Sequence, residues 1–409
     1  MRDVKGYSLA IINKIINEIG GRAPGSKEEQ KAALMISDEL RKYTDNVTIE
    51  NFIFHPGAFL GFIQVVYILL VCSELLFHYI PLLSFIMVLV SIIIVYEEFF
   101  CYNEFIDFLY PVKTSQNVIG KFEPSEKNKN IIIVSGHHDS AHEFRLLAIS
   151  PYLYLVEIGL GFLTIALLFI MNLFWLIDFA TSGLIQAMIP DVYLIAVDAL
   201  WYVILLLLVL TSPLLFFKSK RAVPGAVDNL SAVAILLSVA KTLSEEIKNE
   251  TFKLRNTTVL FVSFGAEEAG LRGSKRFVAK HLNELKEAKT YVLNIDTVAD
   301  PSKLSVVVKE KTTNTKHSME LARKIMTLSN TFGIKISPIS LPSIGGGTDA
   351  VPFSRAGIDA ITFFAVDLSL KTFRFYHTMR DTPDKINPNV LQNIHDIIIE
   401  FIKRVDTER

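Results

Sequence analysis

Two long segments of the chain contain no lysine or arginine: Gly57 to Val112 and Pro151 to Phe217. No other feature limits the fold as much. Each segment holds two apolar stretches, Ala58–Phe77 and Leu82–Tyr96 in the first, Tyr152–Phe174 and Val192–Phe217 in the second. A helix that crosses a bilayer needs about 20 apolar residues, and three of the four stretches reach that length. Leu82–Tyr96 reaches it only by continuing through Phe99 and Phe100, or by thinning the bilayer locally. Runs such as Tyr202–Leu210 have no polar face to offer water, which argues against buried helices of a water-soluble domain. Four spans are therefore expected, as two hairpins over residues 57–112 and 151–217. The loop of the second hairpin is expected to hold Asp178, Gly183 and Pro190.

Charge sets the expected orientation. Lys113, Arg145, Lys218, Lys220 and Arg221 stand near the helix ends on one side, and the loops on the other side have no lysine or arginine. Positive charge stays in the cytoplasm, and the polar N-terminal segment has no signal-peptide core. The expectation is a multi-pass integral membrane protein whose polar part is cytoplasmic.

Residues 1–56, 113–150 and 218–409 remain, and they are expected to form one large α/β domain into which the hairpins are inserted. Lys+Arg numbers 41 against 42 Asp+Glu, a balance that gives no support to a nucleic-acid surface. Two cysteines, Cys72 and Cys101, exclude a disulfide framework and a cysteine-rich zinc site. Short β-rich runs occur at Val47–Phe54, Ile131–Val134, Thr258–Phe264, Tyr291–Ile295, Leu304–Val308 and Asp359–Phe364. Helical periodicity covers Leu9–Ile19, Lys27–Tyr43, Leu230–Leu243, Lys275–Leu285, His317–Ser329 and Val390–Val405. Strands alternating with helices predict a mostly parallel mixed sheet sandwiched by helices.

Ligands in such folds gather at the carboxyl edge of the sheet. The run Ile131–Val134 leads to His137-His138-Asp139, Val262-Ser263-Phe264 leads to Glu267-Glu268, and Val292–Ile295 leads to Asp296. Asp228 precedes a helix, and His377 follows Phe373–Tyr376. Singly these are ordinary surface or capping residues. Together, His137, Asp228, Glu268, Asp296 and His377 are the five nitrogen and oxygen ligands that two bridged cations need, zinc, cobalt or manganese. Neighbouring side chains on an extended segment diverge, so Glu267 is left to act as general base beside the ligand Glu268, with the preceding apolar strand raising its pKa. By the same alternation Asp139 shares a face with His137 and can fix its tautomer. His138 as ligand, with His137 facing the core, is the alternative.

Several motifs resemble metallopeptidase family 28, the two-zinc aminopeptidases and glutamate carboxypeptidases. They are Gly136-His137-x-Asp139, Gly-Ala-x-Asp-Asn at 225–229, Ala-Glu-Glu-Ala-Gly-Leu-x-Gly-Ser at 266–274, Asp296, and Tyr-His-Thr at 376–378 followed by Asp381-Thr382. Ile19–Ser26, with Gly20-Gly21-Arg22, is similar too. The resemblance covers the polar part and none of the apolar segments. It implies that Asp228 bridges two Zn2+, that His137 and Asp296 complete one site, and that Glu268 and His377 complete the other. It further implies Glu267 as base and Asp139 as the partner of His137. One departure is Thr348-Asp349-Ala350, where the family often has Ser-Asp-His. With Gly345–Gly347 it resembles a second two-metal aminopeptidase family, which puts the substrate pocket in doubt.

The expected function is a membrane-embedded binuclear zinc exopeptidase acting on peptides, with a preference for apolar or membrane-derived ones. An aminopeptidase is favoured because no arginine cluster for a substrate carboxylate is identifiable. Alternatives are a non-catalytic membrane scaffold or receptor of the same fold and a single-zinc acyltransferase of the glutaminyl-cyclase kind. Transport through Glu157 and Asp198, both inside expected spans, is a further alternative.

Overall fold

The structure, a computed structural model, describes residues 3–126, 129–343, 345–369 and 372–407. The chain forms two compact units, residues 1–56, 111–143 and 220–409 in one, residues 57–110 and 144–219 in the other.

The first unit is built on a nine-stranded sheet. Its strands are β1 (Val47–Phe54), β2 (Lys113–Phe122), β3 (Asn130–His137), β4 (Thr257–Phe264), β5 (Lys289–Val298), β6 (Ser305–Glu310), β7 (Thr315–Lys316), β8 (Ser337–Leu341) and β9 (Asp359–Ala365). The spatial order is β1-β2-β4-β3-β5-β9-β6-β8, with β7 against β6. The central strands β4, β3, β5 and β9 run parallel, so their carboxyl ends open onto one edge. The flanking pairs β1–β2, β2–β4 and β9–β6 are antiparallel.

Burial on both faces follows from the alternation of strand side chains. In β3, Ile132 and Val134 pack into one apolar cluster with the helix Ser231–Lys248, while Ile131 and Ile133 face a second cluster containing Phe277 and Phe353. Helices Val4–Glu18, Lys27–Leu40, Met319–Thr331 and Pro388–Thr407 join Ser231–Lys248 on the first face; Arg272–Glu287 and Ala350–Arg355 cover the second.

Two strands of this sheet longer than a single turn were not expected from sequence. β2 carries Ser115 and Asn117 at buried positions, so it lacks an apolar run. β8 is short and contains Pro338, a residue confined to sheet edges.

The second unit consists of apolar helices Ala58–Leu76, Pro81–Val95 (continued by a wider turn, Tyr96–Phe100), Pro151–Ala180 and Pro190–Leu210. Pro81–Phe100 is 20 residues long, so it attains spanning length through the two phenylalanines. The loop of the second hairpin is shorter than expected: Asp178 belongs to the 30-residue helix Pro151–Ala180, and Pro190 opens the next helix. Pro190 stands at a first helical turn, where its missing N–H leaves no bond unmade. Ser73, Ser84 and Asn172 tie three of the helices: Ser84 Oγ lies 2.8 Å from Ser73 Oγ and donates to Asn172 Oδ1 at 2.9 Å. Glu74, concealed within the first apolar stretch, is fully buried.

Five helices among the described residues are long and apolar enough to cross a membrane. Ala226–Lys248 is 94% buried in the core of the α/β unit, whereas the other four are 17–33% buried.

Candidate metal centre

The loops after the central strands carry the charge. His137 ends β3, Asp296 lies near the end of β5, and Glu267 and Glu268 follow β4. Asp228 precedes the helix Ser231–Lys248 in a kinked turn whose Asp228–Asn229 peptide is cis. His377 approaches from the segment after β9.

The structure brings these groups together. His137 Nε2 lies 3.2 Å from Asp228 Oδ1 and 3.7 Å from Glu267 Oε2. His377 Nε2 lies 3.2 Å from Asp228 Oδ2 and 3.2 Å from Glu268 Oε2. The carboxylate of Asp228 thus presents one oxygen to each imidazole. His137, Glu267 and Asp296 hold ligand atoms within 4.8 Å of one another, and so do His137, Asp228 and Glu268.

Ligand atoms held at 2.0–2.2 Å around a tetrahedral zinc stand about 3.3 Å apart. The three separations of 3.2 Å between imidazole nitrogen and carboxylate oxygen have that size. Nitrogen and oxygen donors without thiolate suit zinc, cobalt or manganese. The residues present therefore fit such ions.

Backbone geometry aims these side chains. Asp139 Oδ1 lies 3.3 Å from His137 Nδ1. The same carboxylate accepts the N–H groups of Glu267 at 3.2 Å and Glu268 at 3.0 Å, so it anchors the paired glutamates as well. Ala266, Thr297 and His377 adopt left-handed φ of +52°, +50° and +48°. Such strain in non-glycine residues gathers at functional sites, and it leaves no mark in a sequence. Thr297 Oγ1 donates to Asp296 Oδ1 at 2.8 Å. The ring of His138 points elsewhere, its Nδ1 2.9 Å from Ser263 Oγ.

Two supports were not recognised from sequence. Glu29 sits one turn into the helix capped by Ser26 and is fully buried. It accepts from Gly25 N at 2.7 Å, Ser115 Oγ at 2.8 Å and Ala266 N at 2.9 Å, which fixes the residue before Glu267. The pattern Ser-x-x-Glu at 26–29 was the available signal, as a capping box. Glu310 is also buried; it accepts from His317 Nε2 at 2.9 Å and Thr348 Oγ1 at 2.7 Å. It thereby pins the residue beside Asp349.

Electrostatics follow from burial. Burial raises the Glu267 carboxyl well above the usual range, and Glu268, Asp349 and Asp296 add to the shift. Burial and Asp228 likewise raise Asp296. Burial pushes Asp349 up to about 7, against the pull of His137. Burial alone would lower His377, but Glu268 and Asp228 outweigh it and push the imidazole up to about 10. His137 is raised in the same way by Glu267, Asp139 and Asp228. Asp228 is lowered: burial opposes this, and the two imidazoles prevail. His138, where burial outweighs the pull of Asp139, falls to about 4. A dense group of carboxylates that raise one another's pKa is an environment that divalent cations would relieve.

Residues 215–402 match the model of "Peptidase family M28". The chain is 32% identical over 178 residues to aminopeptidase YwaD of Bacillus subtilis (strain 168), covering 43% of this chain and 36% of that protein. It is 32% identical over 177 residues to a glutamate carboxypeptidase 2 homolog of Caenorhabditis elegans, covering 39% of this chain and 23% of the relative. It therefore spans only about a quarter to a third of the length of these relatives. Among solved structures, BSAP, a zinc aminopeptidase from Bacillus subtilis, superposes with a TM-score of 0.56 at 16% identity, over 99% of this chain and 96% of that one. The shared fold is the mixed, helix-covered sheet of zinc exopeptidases.

Proposed function

We propose that the chain, whose residues 215–402 match peptidase family M28, is a membrane-embedded binuclear zinc exopeptidase, and more specifically an aminopeptidase. The observation that carries this reading is the carboxylate of Asp228, 3.2 Å from each of two imidazole nitrogens. Asp228 would bridge the ions, His137 and Asp296 would hold one, and Glu268 and His377 the other.

Bound at this edge, the cations would polarise the scissile carbonyl and acidify a water molecule. Glu267, 3.7 Å from His137 Nε2 and raised by burial, takes the proton from that water and delivers it to the leaving amine. Asp139 holds the imidazole of His137 through Nδ1 and the Glu267 backbone through its N–H, so base and ligand keep one spacing. Thr348-Asp349-Ala350 stands where the family often has Ser-Asp-His.

The helices 58–76, 81–100, 151–180 and 190–216 are assigned to the bilayer, with the α/β unit in the cytoplasm. Their low burial and the basic residues at one set of ends support this. The second pair is inserted in the chain between His137 and Asp228. That connectivity favours apolar or membrane-derived peptides as substrates.

The test is hydrolysis of amino-acyl and N-blocked peptides by wild type and Glu267→Ala, with zinc counted in both. Two zinc ions per chain in each, and a loss of about 10²–10⁴-fold in kcat for the variant, are expected. One zinc per chain points to a cyclase-like transferase. Bound zinc without turnover on any peptide points to a scaffold.

A further inference from the structure

Two buried side chains outside the ligand set grip the loop of Asp228 from opposite flanks. Arg22 follows Gly20-Gly21 and is fully buried. A guanidinium has only donors to offer, set in a planar fork. Nε donates to the carbonyl of His138 at 2.7 Å, Nη1 to those of Gly20 at 2.7 Å and Pro224 at 2.8 Å, and Nη2 to that of Gly225 at 3.1 Å. The main chain adds to the join, since Arg22 N donates to Ser140 Oγ at 2.8 Å and Ser140 N donates to the Arg22 carbonyl at 3.0 Å. A single side chain thus ties the residue after His137 to the residues before Asp228.

Asp381 works from the other flank with acceptors only. Its Oδ1 takes the N–H of Val227 at 2.8 Å, and its Oδ2 takes that of Asp228 at 3.1 Å. Between the two grips lies Gly225, at φ +59°. A Cβ there would stand 2.8 Å from Arg22 Nη2 and 2.6 Å from the Asp228 carbonyl. The loop is closed too tightly on the guanidinium to admit any other residue.

We infer that Arg22 and Asp381 form a clamp that sets the position of Asp228 relative to His137 and so tunes the spacing of the two cations. Both are positioning residues, and the inference rests on the two-metal reading above. The arrangement explains why a charge with no need to face solvent is spent on four carbonyl groups from three separate segments. A lysine ammonium, with three donors on one atom, cannot reach acceptors spread around a planar fork. Its substitution leaves the loop folded but lets Asp228 drift.

The experiment uses the full chain in detergent, stripped of metal and titrated with Co2+ while the visible absorption and bound heat are followed. Wild type is expected to take up two equivalents. In Arg22→Lys and in Asp381→Asn, the second equivalent is expected to weaken by about 10–100-fold, the range found when outer-shell partners of a metal site are removed. The first equivalent should stay within about threefold. kcat should fall with KM little changed, because the defect lies in the cations and not in peptide contact. The double variant should lose less than the product of the single losses, since both act on one loop. Two equivalents bound as in wild type by both variants would overturn the clamp while leaving the peptidase reading intact. Should Arg22→Lys not fold, Asp381→Asn, which deletes one acceptor and no volume, decides alone. A wild-type protein that takes up one equivalent or none defeats the underlying reading, and the clamp with it.

Discussion

The helices Ser231–Lys248 and Pro190–Leu210 both carry a long apolar run, yet they are opposite in what surrounds them. Every residue of Ser231–Lys248 from Ser231 through Ala240 is buried against the sheet. Only Ile204, Leu207 and Leu208 are buried in Pro190–Leu210. The contrast extends to the two units. In the α/β unit, large exposed apolar side chains are few and scattered, such as Leu34, Ile53 and Met319; in the helical unit they run along every helix, as at Ile68, Ile86, Ile170 and Leu206. Apolar composition therefore marks burial, and not the medium that does the burying. Protein interior covers one helix. The other is left largely uncovered by protein.

The largest test of this difference is a matched truncation. Leu237, 1% exposed, is surrounded by the core, and Leu206, 59% exposed, has few protein neighbours. Leu237→Ala should destabilise the α/β unit by about 2–5 kcal/mol through lost contacts and a residual cavity. Leu206→Ala should change the stability of the helical unit by less than about 0.5 kcal/mol in detergent. Both tryptophans, Trp175 and Trp201, belong to the helical unit. Tryptophan fluorescence during denaturation thus reads that unit, and metal release reads the other. If Leu237→Ala shifts both signals together, the units unfold as one and the contrast is broken.

Acid provides the next largest test, because it acts on a buried histidine of one unit. Burial pushes His138 down to about 4, with Arg22 and His137 adding to the shift and Asp139 opposing it. An unfolded histidine titrates near 6.5. Between those values the unfolded chain binds the extra proton, so stability is complete above pH 6.5 and declines as pH falls toward 4. The loss is on the order of 3 kcal/mol. His138→Asn keeps a polar group near Ser263 and removes the titration. Denaturant midpoints at pH 5 and pH 7.5 should differ less in the variant than in wild type, by metal release and not by tryptophan fluorescence. An equal pH dependence in the two proteins would assign the acid sensitivity to other groups.

The two units also differ in how they could be read from the chain. The apolar helices stood out because lysine and arginine are absent over more than fifty residues in each segment that holds them. The central strands stood out because β3, β4, β5 and β9 are buried on both faces and so are continuously apolar. Strand β2 stayed hidden because its buried polar residues are paired over long distance, Ser115 with Glu29 and Asn117 with the Gly273 carbonyl. Within the candidate site, His137, Glu267, Glu268 and Asp296 could be picked out by standing just past apolar strands. Of the residues that aim them, Asp139 could be picked out by its alternation with His137, and the others could not. Arg22, Glu29 and Asp381 bond mainly to backbone groups brought close only by the fold, so the capping pattern at 26–29 and the motifs that hold Arg22 and Asp381 carry no sign of those partners. Glu74 was concealed in the opposite way, as one carboxylate inside a stretch that is otherwise apolar.

The smallest effect separates the polar interiors of the two units. At the sheet edge, buried polar groups are charged, crowded and paired with imidazoles. In the helical unit the hydrogen bonds of Ser73, Ser84 and Asn172 join neutral groups, and Asn172 Nδ2 completes the set by donating to the Leu168 carbonyl at 2.9 Å. Bonds of this kind between membrane helices contribute about 0.6 kcal/mol each, because the separated helices also find partners. Ser84→Ala should therefore lower the stability of the helical unit by about 1 kcal/mol, the sum of its two side-chain bonds. The reporters are well placed: Trp175 lies three residues from Asn172, and Trp201 Nε1 donates to the carbonyl of Glu74, next to Ser73. A change in tryptophan transition of that size, with Co2+ uptake unaltered, would mark this network as glue for the spans. A loss of several kcal/mol, or any change in metal uptake, would mean that the two interiors are coupled and that the helices do more than pack with one another.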